Sequence, residues 1–504
     1  MSDVELPPLR IADVQARVTA ALDRIGPVLD ELGRRFSEAG ESLALVGGPV
    51  RDAMLGRPLV DLDFTTSARP EVTERLLRGW SDAIWDVGRA FGTIGCRKGP
   101  WQIEITTYRA EAYDPDSRKP EVVYGDTLAG DLGRRDFTVN AMAVTVPDRQ
   151  FEDPHGGILD LAHRVLRTPG RPEDSFSDDP LRMMRAARFA AQLGFTVDPP
   201  VVTAMTEMAE RIGIVSAERV RDELVKLVCA PYPRLGLTLL VETGIADLVL
   251  PELPALALER DEHHRHKDVY EHTLTVLEQA IELEHRLADD ADHAPGPGPR
   301  PGSAPAPDFI ARFAALMHDV GKPRTRRFLD DGSVTFHHHD VVGAKLTRKR
   351  MKALRFSREE IDAVSKLVEL HLRFHGYGSG EWTDSAVRRY VRDAGDQLER
   401  LHVLTRADCT TRNRRKAQRL RRTYDDLEER IRRLGEQEEL ASMRPDLDGN
   451  QIMEILQIPP GREVGEAYRH LLDLRIEHGP LGPDRAREEL LTWWAERTGG
   501  GDPG

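Results

Sequence analysis

A glycine turn after a short apolar segment constrains this chain more than any other feature. The apolar residues 43–46 end at Gly47-Gly48, and two aspartates one residue apart, Asp61 and Asp63, follow shortly afterwards. Side chains alternate along a strand, so an extended segment places both carboxylates on one face. Glycines let backbone N–H groups approach phosphates at a helix start, and paired carboxylates suit Mg²⁺. The pattern predicts phosphoryl transfer from a nucleoside triphosphate.

Length and composition predict a modular protein. At 504 residues the chain exceeds what one hydrophobic core usually serves, so several domains are expected. No apolar run reaches the ~18–20 residues of a membrane span, and the acidic first residues lack the plan of a signal peptide. The three scattered cysteines predict neither a disulfide framework nor a zinc site. We therefore expect a cytoplasmic protein with no membrane partner.

The charge distribution leaves nucleic-acid binding open. A net charge of -14 argues against a polyanionic partner. The local field matters more than the total, however, and basic residues cluster over residues 345–352 and again over residues 412–422. Each cluster can equally be a solvated helix face.

Periodicity divides the first half of the chain into three parts. Residues 1–38 form a helical segment, with one amphipathic helix from about residue 11 to residue 36. Residues 39–165 mix strands with helices and form a small α/β domain. Residues 166–258 have little strand character, so a helical domain is expected there.

Two further residues of the α/β domain are candidates for the same site. Arg51 follows the glycine turn and adds a positive charge for the phosphates. Glu104 lies in a third alternating segment, which is expected beside the strand with the two aspartates. It is therefore a candidate third metal carboxylate, and a partly exposed strand glutamate is the alternative.

A helix that begins near Pro180 carries a second group of candidates. Proline in the first turn and acids ahead of it mark a helix start, so capping alone explains the acids. It does not explain Arg182, Arg185 and Arg188, which fall within one third of the helix circumference. Asp179 and Arg182 offer an acceptor and a forked donor that can pair with the edge of a base.

In order, these motifs resemble the class II tRNA nucleotidyltransferases and bacterial poly(A) polymerases. The match also includes Arg-Arg-Asp at residues 134–136, an Asp-Pro-x-x-Gly turn at residues 153–157 and a further element at residues 216–220, and it covers about residues 43–255. The resemblance implies an α+β fold, with a polymerase-β-like nucleotidyltransferase head (39–165) and an all-α neck (166–258). It also implies template-independent addition of CCA to the tRNA 3′ end from CTP and ATP.

The resemblance implies roles for individual residues. Asp61 and Asp63 are catalytic and hold Mg²⁺, with Glu104 as the candidate third carboxylate. The implied nucleotide-binding residues are Gly48, Arg51, Arg135, Asp179, Arg182, Arg185 and Arg188. Within that set Asp179 and Arg182 select the base. The glutamate that usually precedes the selecting aspartate is Asp178 here, one methylene shorter, so an orienting contact to Arg182 would change its reach.

The second half carries a separate metal signature. His272, the pair His318-Asp319 and Asp408 occur in order, with further histidines between them. Imidazole together with carboxylate suits a divalent transition metal. The set resembles the HD phosphohydrolase domain, which we expect over residues 259–410.

Two more segments complete the expected organisation. Residues 288–307 are rich in Pro, Gly, Ala and Asp, which predicts a disordered insertion inside the HD domain. Residues 411–504 form a helical tail that is expected to contact tRNA.

Three functions remain open on the sequence. The first is a CCA-adding enzyme, and the second, within the same chemistry, is a poly(A) polymerase or an enzyme that adds only CC or only A. The third is a metal-dependent phosphohydrolase whose head merely binds RNA, although a binding head has no need for Asp61 and Asp63. The first two imply tRNA, CTP and ATP as partners and Mg²⁺ as cofactor, with a second divalent transition metal for the HD domain.

Overall fold

The computed structural model describes residues 11–110, 123–257, 268–292, 306–330, 334–376, 382–409, 414–438 and 444–498. The chain divides into two compact units, Met1–Pro254 and Ala255–Gly504. Across the described residues, no helix combines the length and the apolar character that a membrane crossing requires.

A seven-stranded mixed sheet forms the centre of the first unit. Its strands are β1 (Leu43–Val46), β2 (Asp61–Thr66), β3 (Ala83–Trp85), β4 (Thr93–Lys98), β5 (Trp101–Thr107), β8 (Ala143–Val146) and β9 (Phe151–Glu152), in the spatial order β3-β4-β5-β2-β1-β8-β9. Two short ladders accompany it: β6 (Arg109–Ala110) with β7 (Val123–Tyr124), and β10 (Val165–Leu166) with β11 (Thr196–Val197).

The pairing of β2 with β5 places the acidic candidates side by side. The two strands run parallel, with Asp61 opposite Gln102 and Asp63 opposite Glu104. The expectation that the Glu104 strand lies beside the aspartate strand is therefore confirmed. All four residues of β1 are buried, so the glycine turn leaves the sheet from its interior.

Six helices surround the sheet: α1 (Ile11–Arg24), α2 (Gly26–Glu38), α3 (Gly48–Leu55), α4 (Pro70–Leu77), α5 (Leu128–Gly133) and α6 (Gly157–His163). The expected single leading helix is in fact two, α1 and α2. The break falls at Ile25, directly before Gly26-Pro27, and Pro27 lies in the first turn of α2. Proline has no N–H and its ring clashes with the preceding turn, so it begins a helix more easily than it continues one.

The rest of the first unit is helical, as the loss of strand pattern predicted. Its helices are α7 (Pro172–Asp178), α8 (Leu181–Leu193), α9 (Pro199–Glu207), α10 (Ala217–Val228), α11 (Pro233–Glu242) and α12 (Ile245–Val249). Helix α8 packs against α10 and α11 through buried residues such as Met184, Ala187 and Ala191. Gly236 of α11 allows helices α8 and α11 to approach each other closely, because a Cβ at this position would lie 2.3 Å from the carbonyl oxygen of Ala187.

The second unit consists almost entirely of helices. They are α13 (Val269–Asp292), α14 (Phe309–Met317), α15 (Lys322–Thr325), α16 (His339–Ala353), α17 (Arg358–Leu370), α18 (Asp384–Ala394), α19 (Leu398–Ala407), α20 (Arg414–Glu438), α21 (Gly449–Leu456), α22 (Arg462–His478) and α23 (Pro483–Thr498). A two-stranded ladder joins β12 (Arg327–Phe328) to β13 (Val334–Thr335). Helices α21 to α23 share a small core that includes Ile452, Leu471 and Leu490.

The first residues of the predicted insertion 288–307 lie in helix α13. Helix α13 continues to Asp292, because Leu287, Ala288 and Ala291 are good helix formers that extend the preceding pattern. Residues 293–305 of the predicted insertion lie outside the described residues.

The close contact between α8 and α11 leads to a stability prediction. In Gly236→Ala the new methyl group would collide with the Ala187 carbonyl, so we expect a loss of about 1–3 kcal/mol, as for other overpacked sites. Calorimetry should then show an unfolding transition lowered by several degrees. Gly170→Ala is the matched control, because no atom lies within 4 Å of its added Cβ. Equal midpoints for the two variants would contradict the packing argument.

Candidate active site and metal centre

The turn between β1 and α3 can only be built with glycine at its first position. Gly47 has a φ of 71°, and a Cβ on it would lie 3.0 Å from a guanidinium nitrogen of Arg135. Gly48 is the first residue of α3. The turn therefore brings backbone N–H groups and the Arg135 side chain to one place, as phosphate binding requires.

Three carboxylates lie next to one another on β2 and β5. Asp61 and Glu104 are exposed, whereas Asp63 is half-buried. Burial, and then the neighbouring Glu104 charge, raise the pKa of Asp63 to about 6. Such mutual repulsion is relieved by a cation. Among the described residues, ligand atoms in sets of three within 4.8 Å occur only in the second unit, so these carboxylates are not drawn as close as that.

Arg51 is buried rather than displayed to solvent. Its guanidinium donates to Asp52 at 2.9 Å and to the side-chain oxygen of Asn140 at 2.6 Å, and it lies over the ring of Phe189. Only 4% of the residue is exposed. Arg51 thus ties the glycine turn to the interior, and its predicted contact with the triphosphate remains a prediction.

Asp131 holds Arg135 in position. Its buried carboxylate accepts hydrogen bonds from Arg135 and from the hydroxyl of Thr65, both at 3.2 Å, and one from the backbone N–H of Arg109 at 3.3 Å. Asp131 is not among the residues predicted from the sequence, although its position four residues before Arg135 is the spacing of a helical ion pair.

A buried ion-pair network joins the head to helix α8. Asp136 accepts from Arg185 at 2.5 Å and 2.8 Å, and from the amide of Asn140 at 3.0 Å. Burial alone would raise the pKa of Asp136, but Arg185 and Asn140 hold it below its usual value. Further along α8, Arg188 donates to the buried Glu223 at 2.5 Å. The ion pairs of Arg185 and Arg188 therefore hold helix α8 in position beside the predicted nucleotide site.

Head and neck residues together line a cleft of about 900 Å³. Four of the predicted nucleotide-binding residues line it: Arg135, Asp179, Arg182 and Arg185. Of the other described candidates, Gly48, Arg51 and Arg188 are not part of its lining. The three carboxylates Asp61, Asp63 and Glu104 are not part of this lining either, although Thr106, two residues beyond Glu104 on β5, does line the cleft.

The four residues of the predicted HD signature lie together in the second unit. His272 Nε2 is 2.9 Å from Asp408 and 3.7 Å from Asp319, and His318 Nε2 is 3.3 Å from Asp319. Asp319 is only 1% exposed. Burial alone would raise its pKa, but the neighbouring His318, His339 and Lys322 hold it well below the usual value. The centre thus keeps an ionised carboxylate among imidazoles.

The structure adds two histidines, His339 and His371, to this centre. Their ligand atoms group with Asp319, which also belongs to a second group with His272 and His318. In His318, His339 and His371 the Nδ1 atom lies 2.6–2.8 Å from a backbone carbonyl, to which it can only donate. Among the described residues their buried Nε2 atoms make no hydrogen bond of good geometry, although those of His318 and His339 lie 3.3 Å from Asp319. Fixed Nδ1 donors with free Nε2 atoms are the usual arrangement of metal-ligating histidines.

Three family models match the chain. They are "Poly A polymerase head domain" over residues 43–167, "Probable RNA and SrmB- binding site of polymerase A" over residues 194–256 and "HD domain" over residues 269–413. The A-adding tRNA nucleotidyltransferase of Deinococcus radiodurans is 33% identical over 465 residues, which cover 91% of this chain and 96% of that protein. The chain belongs to the tRNA nucleotidyltransferase family. The resemblance inferred from the motifs is confirmed, and the protein is a nucleotidyltransferase with an HD domain.

Other members of this family match over shorter or more divergent ranges. The CCA-adding enzyme of Bacillus subtilis is 40% identical over 229 residues, and the match spans 45% of this chain and 55% of that enzyme. The structure of the Bacillus stearothermophilus CCA-adding enzyme in complex with CTP matches with a TM-score of 0.63 at 22% identity, covering 93% of this chain and 97% of the other. That likeness confirms the fold class: a small α+β head followed by helical domains.

The Asp136–Arg185 pair leads to a pH-dependent stability prediction. Arg185→Met should lower the free energy of unfolding by about 3 kcal/mol at neutral pH, because the buried carboxylate of Asp136 loses its charged partner. Arg185 itself is only partly buried, so the unpaired carboxylate is the main cause. The folded pKa of Asp136 is lowered, so its contribution is present above the usual carboxyl pKa and is lost as pH falls through the folded value. Denaturant unfolding should therefore show a wild-type advantage that is full at pH 7 and shrinks only as pH falls below about 4, so that it is smaller at pH 3.

A double variant provides the control for this pair. In Asp136→Asn with Arg185→Met, the uncharged amide replaces the stranded carboxylate, so part of the lost stability should return at pH 7. A deficit that is equal at both pH values, or no recovery in the double variant, would show that the charge of Asp136 is not the cause.

Proposed function

We propose that this nucleotidyltransferase adds C, C and A to the 3′ end of tRNA from CTP and ATP, without a nucleic-acid template. The observation that carries the proposal is that Asp179 and Arg182 line the same cleft as Arg135. A carboxylate and a guanidinium thereby line the space beside Arg135, whose guanidinium lies next to the Gly47 turn. Protein side chains, rather than a template strand, can then read the incoming base.

The chemistry of these two side chains fits cytosine and adenine. Both bases place an amino donor next to a ring-nitrogen acceptor on the Watson–Crick edge, and Asp179 can accept from the first while Arg182 donates to the second. Uracil and guanine present the opposite order, a carbonyl acceptor beside a ring N–H. A well-placed pair of this kind discriminates by about 1–3 kcal/mol per base.

The head supplies the groups for the transfer itself. The 3′-hydroxyl oxygen attacks the α-phosphorus and pyrophosphate leaves. Backbone N–H groups after Gly47, together with Arg135, suit the phosphates, and Asp61, Asp63 and Glu104 would hold Mg²⁺. A bound Mg²⁺ would neutralise phosphate charge and activate the attacking hydroxyl. Asp131 and Asp136 keep Arg135 and Arg185 at their places around the nucleotide.

The RNA partner is supported by basic surfaces in the second unit. Helix α16 carries exposed Lys345, Lys349 and Lys352, and α20 carries a further basic run that includes exposed Arg415 and Arg419. Contacts of this kind bind the phosphate backbone and follow the shape of the RNA rather than its sequence. We infer a cytoplasmic location from this proposed role in tRNA processing.

Incubation with tRNA lacking its 3′ CCA tests the proposal directly. With Mg²⁺ and both nucleotides, extension should stop after C, C and A, whereas CTP alone should add two residues. The Deinococcus relative is named an A-adding enzyme, so addition of A only to tRNA already ending in CC is the outcome that would replace the CCA proposal. A long A tract would identify a poly(A) polymerase instead.

Replacing both metal carboxylates should abolish this incorporation. Asp61→Ala with Asp63→Ala removes the Mg²⁺ ligands, so extension should fall by at least about a thousandfold. Asp148→Ala, an exposed aspartate of the same domain, serves as the control and should extend tRNA normally. Retained activity in the double variant would remove these residues from the site.

We infer a second, hydrolytic function for the HD centre. The observation in its favour is geometric: among the described residues, the buried Nε2 atoms of His318, His339 and His371 lack a hydrogen bond of good geometry, and all three histidines group with Asp319. Buried polar atoms are rarely left unsatisfied, and imidazole with carboxylate suits a divalent transition metal. A metal held there would activate water toward a phosphoester.

Metal content and hydrolysis test this second function separately from the first. The purified protein with Ni²⁺, Mn²⁺ or Co²⁺ should retain metal after gel filtration and hydrolyse bis(p-nitrophenyl) phosphate. His318→Ala with Asp319→Ala should lose both properties and still extend tRNA, whereas the Asp61/Asp63 variant should keep both. Metal retention by the His318/Asp319 variant would show that the ions bind elsewhere.

A further inference from the structure

The two base-selecting side chains are held by different partners. Asp179 Oδ1 accepts the backbone N–H of Leu181 at 3.1 Å, which caps the start of α8. Its Oδ2 accepts from Arg219, at the start of α10, at 2.8 Å. Both side chains of this ion pair reach solvent, Arg219 with 53% of its side chain exposed and Asp179 with 23%.

Arg182 is held more firmly and from the opposite side. It donates to the hydroxyl of Ser175 at 2.8 Å, to the Ser175 carbonyl at 3.4 Å and to the carbonyl of Arg134 at 2.5 Å. Ser175 is only 8% exposed. Within the part of the chain that the structure describes, these acceptors do not include Asp178, the residue that the sequence suggested for this task.

We propose that Ser175 and Arg219 are positioning residues that set which nucleobase the enzyme accepts. The inference rests on the proposed function, because it concerns the nucleotide that Asp179 and Arg182 select. Neither residue needs to touch the base. Each fixes one member of the selecting pair and thereby fixes the direction in which that member accepts or donates.

Ser175 replaces a carboxylate in orienting Arg182. Asp178 is one methylene shorter than the glutamate expected at its position, and Ser175 lies one helical turn earlier on α7, facing the guanidinium. The Ser175 hydroxyl and the Arg134 carbonyl both accept, so they leave other N–H groups of Arg182 free to donate to a ring nitrogen. Uracil and guanine carry a ring N–H at that place, so two donors would face each other. The hydrogen bonds to Ser175 and Arg134 keep Arg182 from rotating to avoid this.

Arg219 holds Asp179 through a weaker and exchangeable contact. An ion pair with one half-exposed partner contributes little net stability, because solvent screens it. Asp179 can therefore adjust its position when a pyrimidine is followed by the larger purine, while Arg182 stays in place. The cleft thus has one fixed and one adjustable contact, which suits a single site that must accept two different bases.

Nucleotide discrimination tests the proposal. On tRNA lacking CCA, the ratio of kcat/KM for CTP to that for UTP should fall about tenfold in Ser175→Ala and about threefold in Arg219→Gln, whose contact is exposed. On tRNA ending in CC, the ratio for ATP over GTP should fall in the same way. Arg219→Lys keeps the charge beside Asp179 and should retain most of the discrimination.

Matched variants separate positioning from folding. Ser177→Ala removes an exposed hydroxyl from the same helix as Ser175, and Arg221→Gln makes the same charge change on α10. Both should discriminate as the wild type does. If Ser175→Ala and Arg219→Gln slow all four nucleotides equally, or leave the ratios unchanged, the proposal is wrong. If the wild type incorporates neither C nor A, the proposed function itself fails.

Discussion

The hydrogen bonds of Asp136 connect the two halves of the nucleotide site. Its buried carboxylate accepts from Arg185 on helix α8 and from Asn140, which in turn accepts from Arg51 beside the glycine turn. A charge in this environment is stable only while its partners stay in place, since an unpaired buried carboxylate is costly. The phosphate-binding turn and the base-selecting helix are therefore held together, and the cleft for the nucleotide forms where they meet.

The buried charges of the head and neck have partners within the protein, whereas buried histidine nitrogens of the HD centre make no hydrogen bond of good geometry among the described residues. In the head and neck, the buried Asp136 pairs with Arg185 and the buried Glu223 pairs with Arg188, so these charges have partners without a ligand. In the HD centre, the Nε2 atoms of His318 and His371 are equally buried and make no such hydrogen bond among the described residues. Since buried polar atoms are normally satisfied, the first arrangement acts as a scaffold, and the second suits the metal binding proposed for the HD centre.

Local sequence patterns predicted the elements well. The glycine turn, the shared face of Asp61 and Asp63 and the start of the helix after Pro180 all depend on residues within a few positions of one another. The missed break before Gly26-Pro27 was also a local signal. The partners of the site arginines were not predictable in this way, because Arg185 and Asp136 are 49 positions apart and Arg182 and Arg134 are 48 apart.

The sequence by itself determined the chemistry that this protein carries: paired carboxylates, a phosphate turn, a helix with an acid and arginines at one end, and an ordered His and Asp set. These follow from residue type and spacing, which short-range geometry converts directly into shared faces. Only the tertiary structure decided which groups accept hydrogen bonds from the site arginines and which histidines lie together. Arg182 donates to Ser175, three residues before Asp178, and His339 and His371 lie with Asp319 in the HD centre. Hydrogen bonds and burial depend on groups that packing brings together, and the spacing of residues along the chain does not encode that packing.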